Sequence, residues 1–120
     1  MNTVERRRFR RIYFSREDEV VAKFSAGRGG KHAFSADVLN VCVVGMAISL
    51  KNEYAAFFEV GDVVTMTEIK GRLPINFSGN VRYVVVWKET LPEVDRIGAG
   101  LALLEAPIQF TDIIGKLIYG

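Results

Sequence analysis

This chain is poor in the residues from which disulfides, metal sites and catalytic centres are built. Its 120 residues hold one cysteine, Cys42, and one histidine, His32. A lone cysteine excludes an internal disulfide, and with a lone histidine it cannot furnish the ligands of a structural zinc site, so a reducing cytoplasm is the expected location. There is no H-E-x-x-H, no G-x-x-x-x-G-K phosphate cradle and no carboxylate pair in a recognisable pocket motif, and the chain reads as a non-enzyme that needs no cofactor. No run approaches 18 uninterrupted apolar residues, and no apolar segment follows the N-terminal charges, so neither a membrane span nor secretion is expected. Repeats and low-complexity tracts are also missing. What remains is 49% apolar and 25% charged, the balance of a single globular domain.

Charge is present in near balance, with 16 basic and 14 acidic residues, but it is unevenly placed. Glu5-Arg6-Arg7-Arg8-Phe9-Arg10-Arg11 puts five arginines and one glutamate into seven residues. Without that stretch 11 basic residues face 13 acidic ones, and the formal charge turns from +2 to −2. The basic character is therefore local. Clustered guanidinium groups, with forked donors for phosphate oxygens and flat faces for aromatic rings, point to a phosphate-bearing ligand or nucleic acid rather than to a generally basic protein coating a long polyanion. Residues 1–11 are expected to form a flexible arm and residues 12–120 the domain.

The body of the chain alternates with period two. Strands are expected at Val20 to Phe24, Ala33 to Asn40, Met46 to Leu50, Val63 to Ile69, Ile75 to Trp87 and Ile97 to Leu104, separated by turn signals such as Arg28-Gly29-Gly30-Lys31 and Gly61-Asp62. Gly45 is expected at a tight turn between antiparallel neighbours. Within Val63 to Ile69, strict alternation assigns Val63, Thr65, Thr67 and Ile69 to one face and Val64, Met66 and Glu68 to the other. The same rule places Arg82 and Trp87 on opposite faces of their strand, and Gly79 is expected to mark a bulge. From Pro107 the period changes: Phe110, Ile113, Ile114, Leu117 and Ile118 form one helical stripe, predicting a C-terminal helix. The fold class is mostly β, six antiparallel strands closing on themselves with a terminal helix.

Two motifs are similar to those of the PilZ domain family. Arg7-Arg8-Phe9-Arg10-Arg11 matches an R-x-x-x-R motif ahead of the first strand. Asn40-Val41-Cys42-Val43-Val44-Gly45 matches a D/N-x-S-x-x-G motif between strands, with Cys42 where the pattern has serine. The resemblance covers most of the chain, including the Gly-led Gly100-Leu101-Ala102-Leu103 and the helix from Pro107. It implies a six-stranded split barrel with a C-terminal helix, and a cytoplasmic, bacterial second-messenger receptor for cyclic di-GMP that acts on a downstream protein partner. The implied ligand-binding residues are Arg6, Arg7, Arg11, Asn40, Cys42 and Gly45.

The chemistry of those residue types agrees. Cyclic di-GMP carries two phosphates and two guanines, for which Arg7 and Arg11 offer forks and stacking faces. Asn40 offers both an acceptor and a donor to a base edge, and Arg6 could stack on a guanine of a second nucleotide. A thiol at position 42 is a weaker hydrogen-bonding group than a hydroxyl. Each residue also has a plainer reading: Asn40 as a turn-former, Cys42 as a small half-buried hydrophobe, His32 as a solvated surface residue, Arg82 and Trp87 as ordinary strand residues. The alternative function is a degenerate PilZ-like adaptor that binds protein and no nucleotide. A third class, a barrel binding single-stranded nucleic acid, would need exposed stacking platforms, and the local character of the charge argues against it.

Overall fold

The computed structural model describes residues 11–27, 31–42, 44–70, 73–74 and 81–105. Among the described residues eight strands run: β1 (Ile12–Tyr13), β2 (Val21–Ala26), β3 (His32–Cys42), β4 (Gly45–Lys51), β5 (Val63–Ile69), β6 (Leu73–Pro74), β7 (Val81–Thr90) and β8 (Arg96–Glu105). Every pairing is antiparallel. The order β3-β2-β5-β7-β8-β4 returns to β3 through the β3–β4 pairing, so six strands close into a barrel, while β1 adds to β3 and β6 to β5. Closure removes the free edges that an open sheet of β-branched strands would expose. The six expected strands overlap the six of the barrel, and the first part of the one expected from Ile75, residues 75–80, lies outside the described residues. The two-residue strands β1 and β6 are too short to show a periodicity in sequence.

The barrel interior is filled by alternate residues of each strand, among them Phe24, Phe34, Met46, Ile48, Met66, Tyr83 and Leu101, all essentially buried. Full burial of side chains of this size contributes about 1.5–3 kcal/mol each. One mouth is closed by a short 3-10 segment, Asn52–Phe57, whose Tyr54 and Phe57 pack on Phe34. Lys88 Nζ donates to the carbonyls of Ala55 and Phe58, both at 2.8 Å, and so ties that plug to β7.

Strict alternation fails at four register shifts, and two of them move side chains to a face other than the expected one. In β5, Lys23 pairs with Glu68 but Phe24 with Met66, leaving Thr67 as the extra residue. Val64, Met66 and then Ile69 are therefore the buried positions, which corrects the assignment of Ile69 to the face of Val63 and Thr65. In β3, Val38 pairs with Ile48 but Asn40 with Ala47, so Leu39 is extra. In β7, Val85 pairs with Leu101 but Trp87 with Gly100, so Val86 is extra. The fourth shift, between Arg82 and Tyr83, leaves Leu104 extra in β8. Each extra residue switches the face of the residues after it. The expected helix from Pro107, the bulge at Gly79 and the arm residues Arg6 and Arg7 lie outside the described residues.

Candidate functional site

Two of these bulges build one site. Phe34, Ala36 and Val38 point into the barrel, and unbroken alternation would send Asn40 inward as well. The extra Leu39 turns Asn40 out and lets Val41 bury instead. In β7 the interior series Val81, Tyr83, Val85 would continue to Trp87, but the extra Val86 turns the indole to the outer wall. Trp87 is therefore on the same outer face as Arg82, not the opposite one.

Register then lines up a row across five strands: Tyr13 beside Asn40, Asn40 beside Ala47, Ala47 beside Gly100, and Gly100 beside Trp87. With strands about 4.8 Å apart, four steps separate the two aromatic ends by at most about 19 Å. The floor is made of small residues and the ends are raised, so the row forms a shallow groove of about 190 Å³ that Arg11 overhangs from the start of β1. Tyr13 is 69% exposed and Trp87 39% exposed, unusual for side chains of this size on a barrel wall.

The floor must be small for a steric reason. A Cβ built on Gly100 would lie 1.9 Å from Trp87 Nε1, so the indole lies over the glycine backbone. Gly98, the next outward position along β8, leaves 3.3 Å to Trp87 Cζ3. A flat aromatic wall resting on a glycine track is the signal that motif reading missed. It was present in the sequence as Gly98-Ala99-Gly100 opposite the β7 tryptophan, but only the Val86 bulge puts the two in contact.

Arg11 Nη1 donates a 2.8 Å hydrogen bond to Asn40 Oδ1. The contact joins residues 29 positions apart, one from each sequence motif. Arginine has only donors, so the amide oxygen of Asn40 must face it and the amide nitrogen must face away. Arg11 itself is exposed, and its other N–H groups make no hydrogen bond to a described residue.

Gly45 and Cys42 serve differently from expectation. Cys42 and Gly45 form the last pair of the β3–β4 hairpin, and Gly45 is the first residue of β4. It stands at the tight connection between two antiparallel neighbours, as expected, but its backbone is outside the left-handed region, so the turn does not require glycine there. The need for glycine is close approach: a Cβ there would sit 2.3 Å from the Leu101 carbonyl oxygen on β8. Cys42 is 2% exposed and does not line the groove. Burial pushes the Tyr83 phenol well above the usual tyrosine range, and the electrostatic effect of nearby Cys42 adds to the rise. The structure thus brings Arg11 and Asn40 together, places Gly45 behind them in the hairpin, and sets Cys42 beneath the surface. His32 stacks on Phe57 at 4.5 Å on an exposed strand start, away from the groove. Among the described residues, no group of three or more His, Cys, Asp or Glu could hold a metal ion, and no helix is long and apolar enough to cross a membrane.

No family model and no curated protein matches the chain. Among solved structures it is similar to "MrkH, A novel c-di-GMP dependence transcription regulatory factor", with a TM-score of 0.64 and 13% sequence identity, over 93% of this chain and 49% of that one. The chain spans about half the length of that regulator, and at this identity the likeness establishes the fold of the barrel.

Proposed function

We propose that this chain is a PilZ-type receptor domain for cyclic di-GMP, a non-enzymatic and cytoplasmic module that reports the second messenger to a protein partner. The observation that carries the proposal is the Arg11–Asn40 hydrogen bond at the rim of an outer-wall groove. It unites the two motifs on which the family resemblance rests, and it does so where two aromatic faces are exposed. The fold likeness to a c-di-GMP-dependent regulator supports the same reading. Arg11, with Arg7 from the preceding arm, holds phosphate oxygens by charge-assisted hydrogen bonds. Asn40 meets a base edge, and Trp87 and Tyr13 offer stacking faces. Gly45 keeps β4 against β8, and Cys42 backs the hairpin from below. Arg6 stacks on a second nucleotide, giving two ligands per chain. A groove of about 190 Å³ falls short of the usual few hundred Å³ of a small-molecule pocket, so the arm closes over the ligand and orders on binding.

Calorimetric titration of the whole chain with cyclic di-GMP tests this. Saturable binding with a stoichiometry near two is expected, together with slower proteolysis at Arg8. The competing reading, a PilZ-like adaptor that binds no nucleotide, is favoured by one observation: the side chain standing for the motif serine is buried and lines no part of the groove. A folded chain that shows no heat of binding at high micromolar nucleotide decides for the adaptor.

A further inference from the structure

One outward row beyond the groove, toward the end of β8, the barrel wall turns apolar. Register sets Val63 beside Val84, Val84 beside Ala102 and Ala102 beside Gly45, a row across β5, β7, β8 and β4. Val64, Tyr83, Val85 and Leu101 are buried, so alternation turns Val63, Val84 and Ala102 outward. Leu104, the extra residue of the fourth bulge, stands half-exposed next to them. The Leu103 N–H donates to the Val44 carbonyl at 2.8 Å, which brings the exposed Val44 to the same end of β8. The row after that is polar: Thr65, Arg82 and Glu105 lie side by side, with Arg82 Nη2 2.7 Å from Glu105 Oε1. The strip is therefore an apolar island with a polar border, a surface of the kind that marks a contact.

What covers the strip must be narrow. Three inter-strand steps make the row about 14 Å long, close to the rise of about 12 Å over eight residues of helix. Two chains that pair stably bury about 800 Å² each, several times what such a strip offers. The chain itself supplies a segment of the right size, because β8 ends at Glu105, directly after Leu104, and residues 106–120 continue from there. In that sequence Phe110, Ile113, Ile114, Leu117 and Ile118 recur at helical spacing. Its only charged residues, Asp112 and Lys116, fall about 200° and 240° around a helix from Phe110, on the face opposite that stripe. Each large apolar side chain of the stripe gains about 1.5–3 kcal/mol by full burial, so the stripe needs an apolar partner as much as the strip does. We propose that residues 107–118 dock as a helix across this strip, which makes the row from Val63 to Ala102 an intramolecular seat and not the face presented to a partner.

The whole chain carrying Val63→Cys tests this through the rate at which a maleimide reaches the new thiol, with the parent chain, whose Cys42 is buried, as the background. Adding Ile114→Asp puts a carboxylate into the stripe and should raise the rate about 10-fold or more as the segment lifts off. Lys116→Glu, on the opposite face, should leave it within about 2-fold. Ile114→Ala should give a smaller rise, and it decides the matter if the aspartate variant does not fold. Equal rates across these variants overturn the proposal. A melting temperature that falls in the Ile114 variants with no change in rate also overturns it, and is the outcome for a stripe seated over a mouth of the barrel. Labelling of Val63→Cys alone that slows as protein concentration rises overturns it in favour of a second copy on the strip.

Discussion

Arg96 and Arg11 both stand on the outer wall of the barrel, and their surroundings are opposites. Arg96, at the start of β8, donates from Nε to Ser49 Oγ at 3.0 Å, and from Nη2 to the Ser49 carbonyl at 2.9 Å and to the Asp37 carboxylate at 2.6 Å. Its side chain is 22% exposed and spans β8, β4 and β3, along the row in which Asp37, Ser49 and Gly98 lie side by side. Arg11 reaches the neighbouring row, of Asn40, Ala47 and Gly100, and among the described residues bonds only to a neutral amide oxygen. One guanidinium is paired with a carboxylate and braces three strands; the other meets no carboxylate among the described residues. Counting basic residues cannot separate these cases. What an arginine can bind is set by whether a carboxylate already occupies it.

The sharpest way to break this contrast is to remove each arginine and read both stability and affinity. Arg11→Ala should weaken cyclic di-GMP binding by about 1.5–3 kcal/mol, 10-fold to 150-fold, and leave the melting temperature in place. Arg96→Ala should do the reverse, costing about 2 kcal/mol of stability, a figure held down because the Asp37 carboxylate is over half exposed and screened. Binding by the still-folded protein should stay near that of the parent. A stable Arg96→Ala protein with lost binding would show that the two rows work as one site.

Position 42 lies where the hairpin passes behind the groove, and Cys42→Ser asks which side it serves. A buried hydroxyl without a partner should lower stability by about 1–2 kcal/mol in a chemical melt and leave affinity unchanged. A gain in affinity of about 2-fold to 10-fold would instead mean that the hydroxyl reaches the ligand, as in the motif's serine.

The two glycines of β8 sharpen the comparison at smaller scale. Gly100→Ala puts a methyl group 1.9 Å from the Trp87 indole nitrogen, and a half-exposed side chain can swing clear. Affinity should therefore fall by about 1 kcal/mol, with a shift in tryptophan emission and little change in melting. Gly98→Ala meets Trp87 and Leu91 at 3.3 and 3.0 Å and should change binding by less than about 0.5 kcal/mol. Equal effects at both glycines would remove Trp87 from the site.

The barrel itself was legible in the sequence, because period-two patterning and turn residues are local signals and all six of its strands carry them. The site was legible only in part. Arg11 and Asn40 stood out by motif, yet alternation alone would have buried Asn40, since nothing in Val38-Leu39-Asn40 announces an extra residue. Trp87 was passed over for the same reason at Val86, and Thr67 misplaced Ile69. A bulge is a property of two strands in register, and one strand's sequence does not contain its partner's spacing. Gly45 illustrates a second gap: a close approach to the Leu101 carbonyl and a tight turn both call for glycine, and only the neighbouring strand tells them apart.

Arg11 is carried into place by β1, which is two residues long and pairs with β3 only at Ile12–Val41 and Tyr13–Asn40, with one further backbone bond from Phe14 to Leu39 at 2.9 Å. So short a ladder opens by local unfolding at a fraction of the free energy needed to open the barrel, and its amides exchange with solvent on that faster clock. If the groove binds cyclic di-GMP as proposed, its apparent affinity is the intrinsic affinity scaled by the fraction of time β1 is docked. Sequence changes that firm up β1 would raise the apparent affinity without touching the ligand, and those that loosen it would lower it, so the sensitivity of this domain can be retuned from a strand that contributes little to its stability.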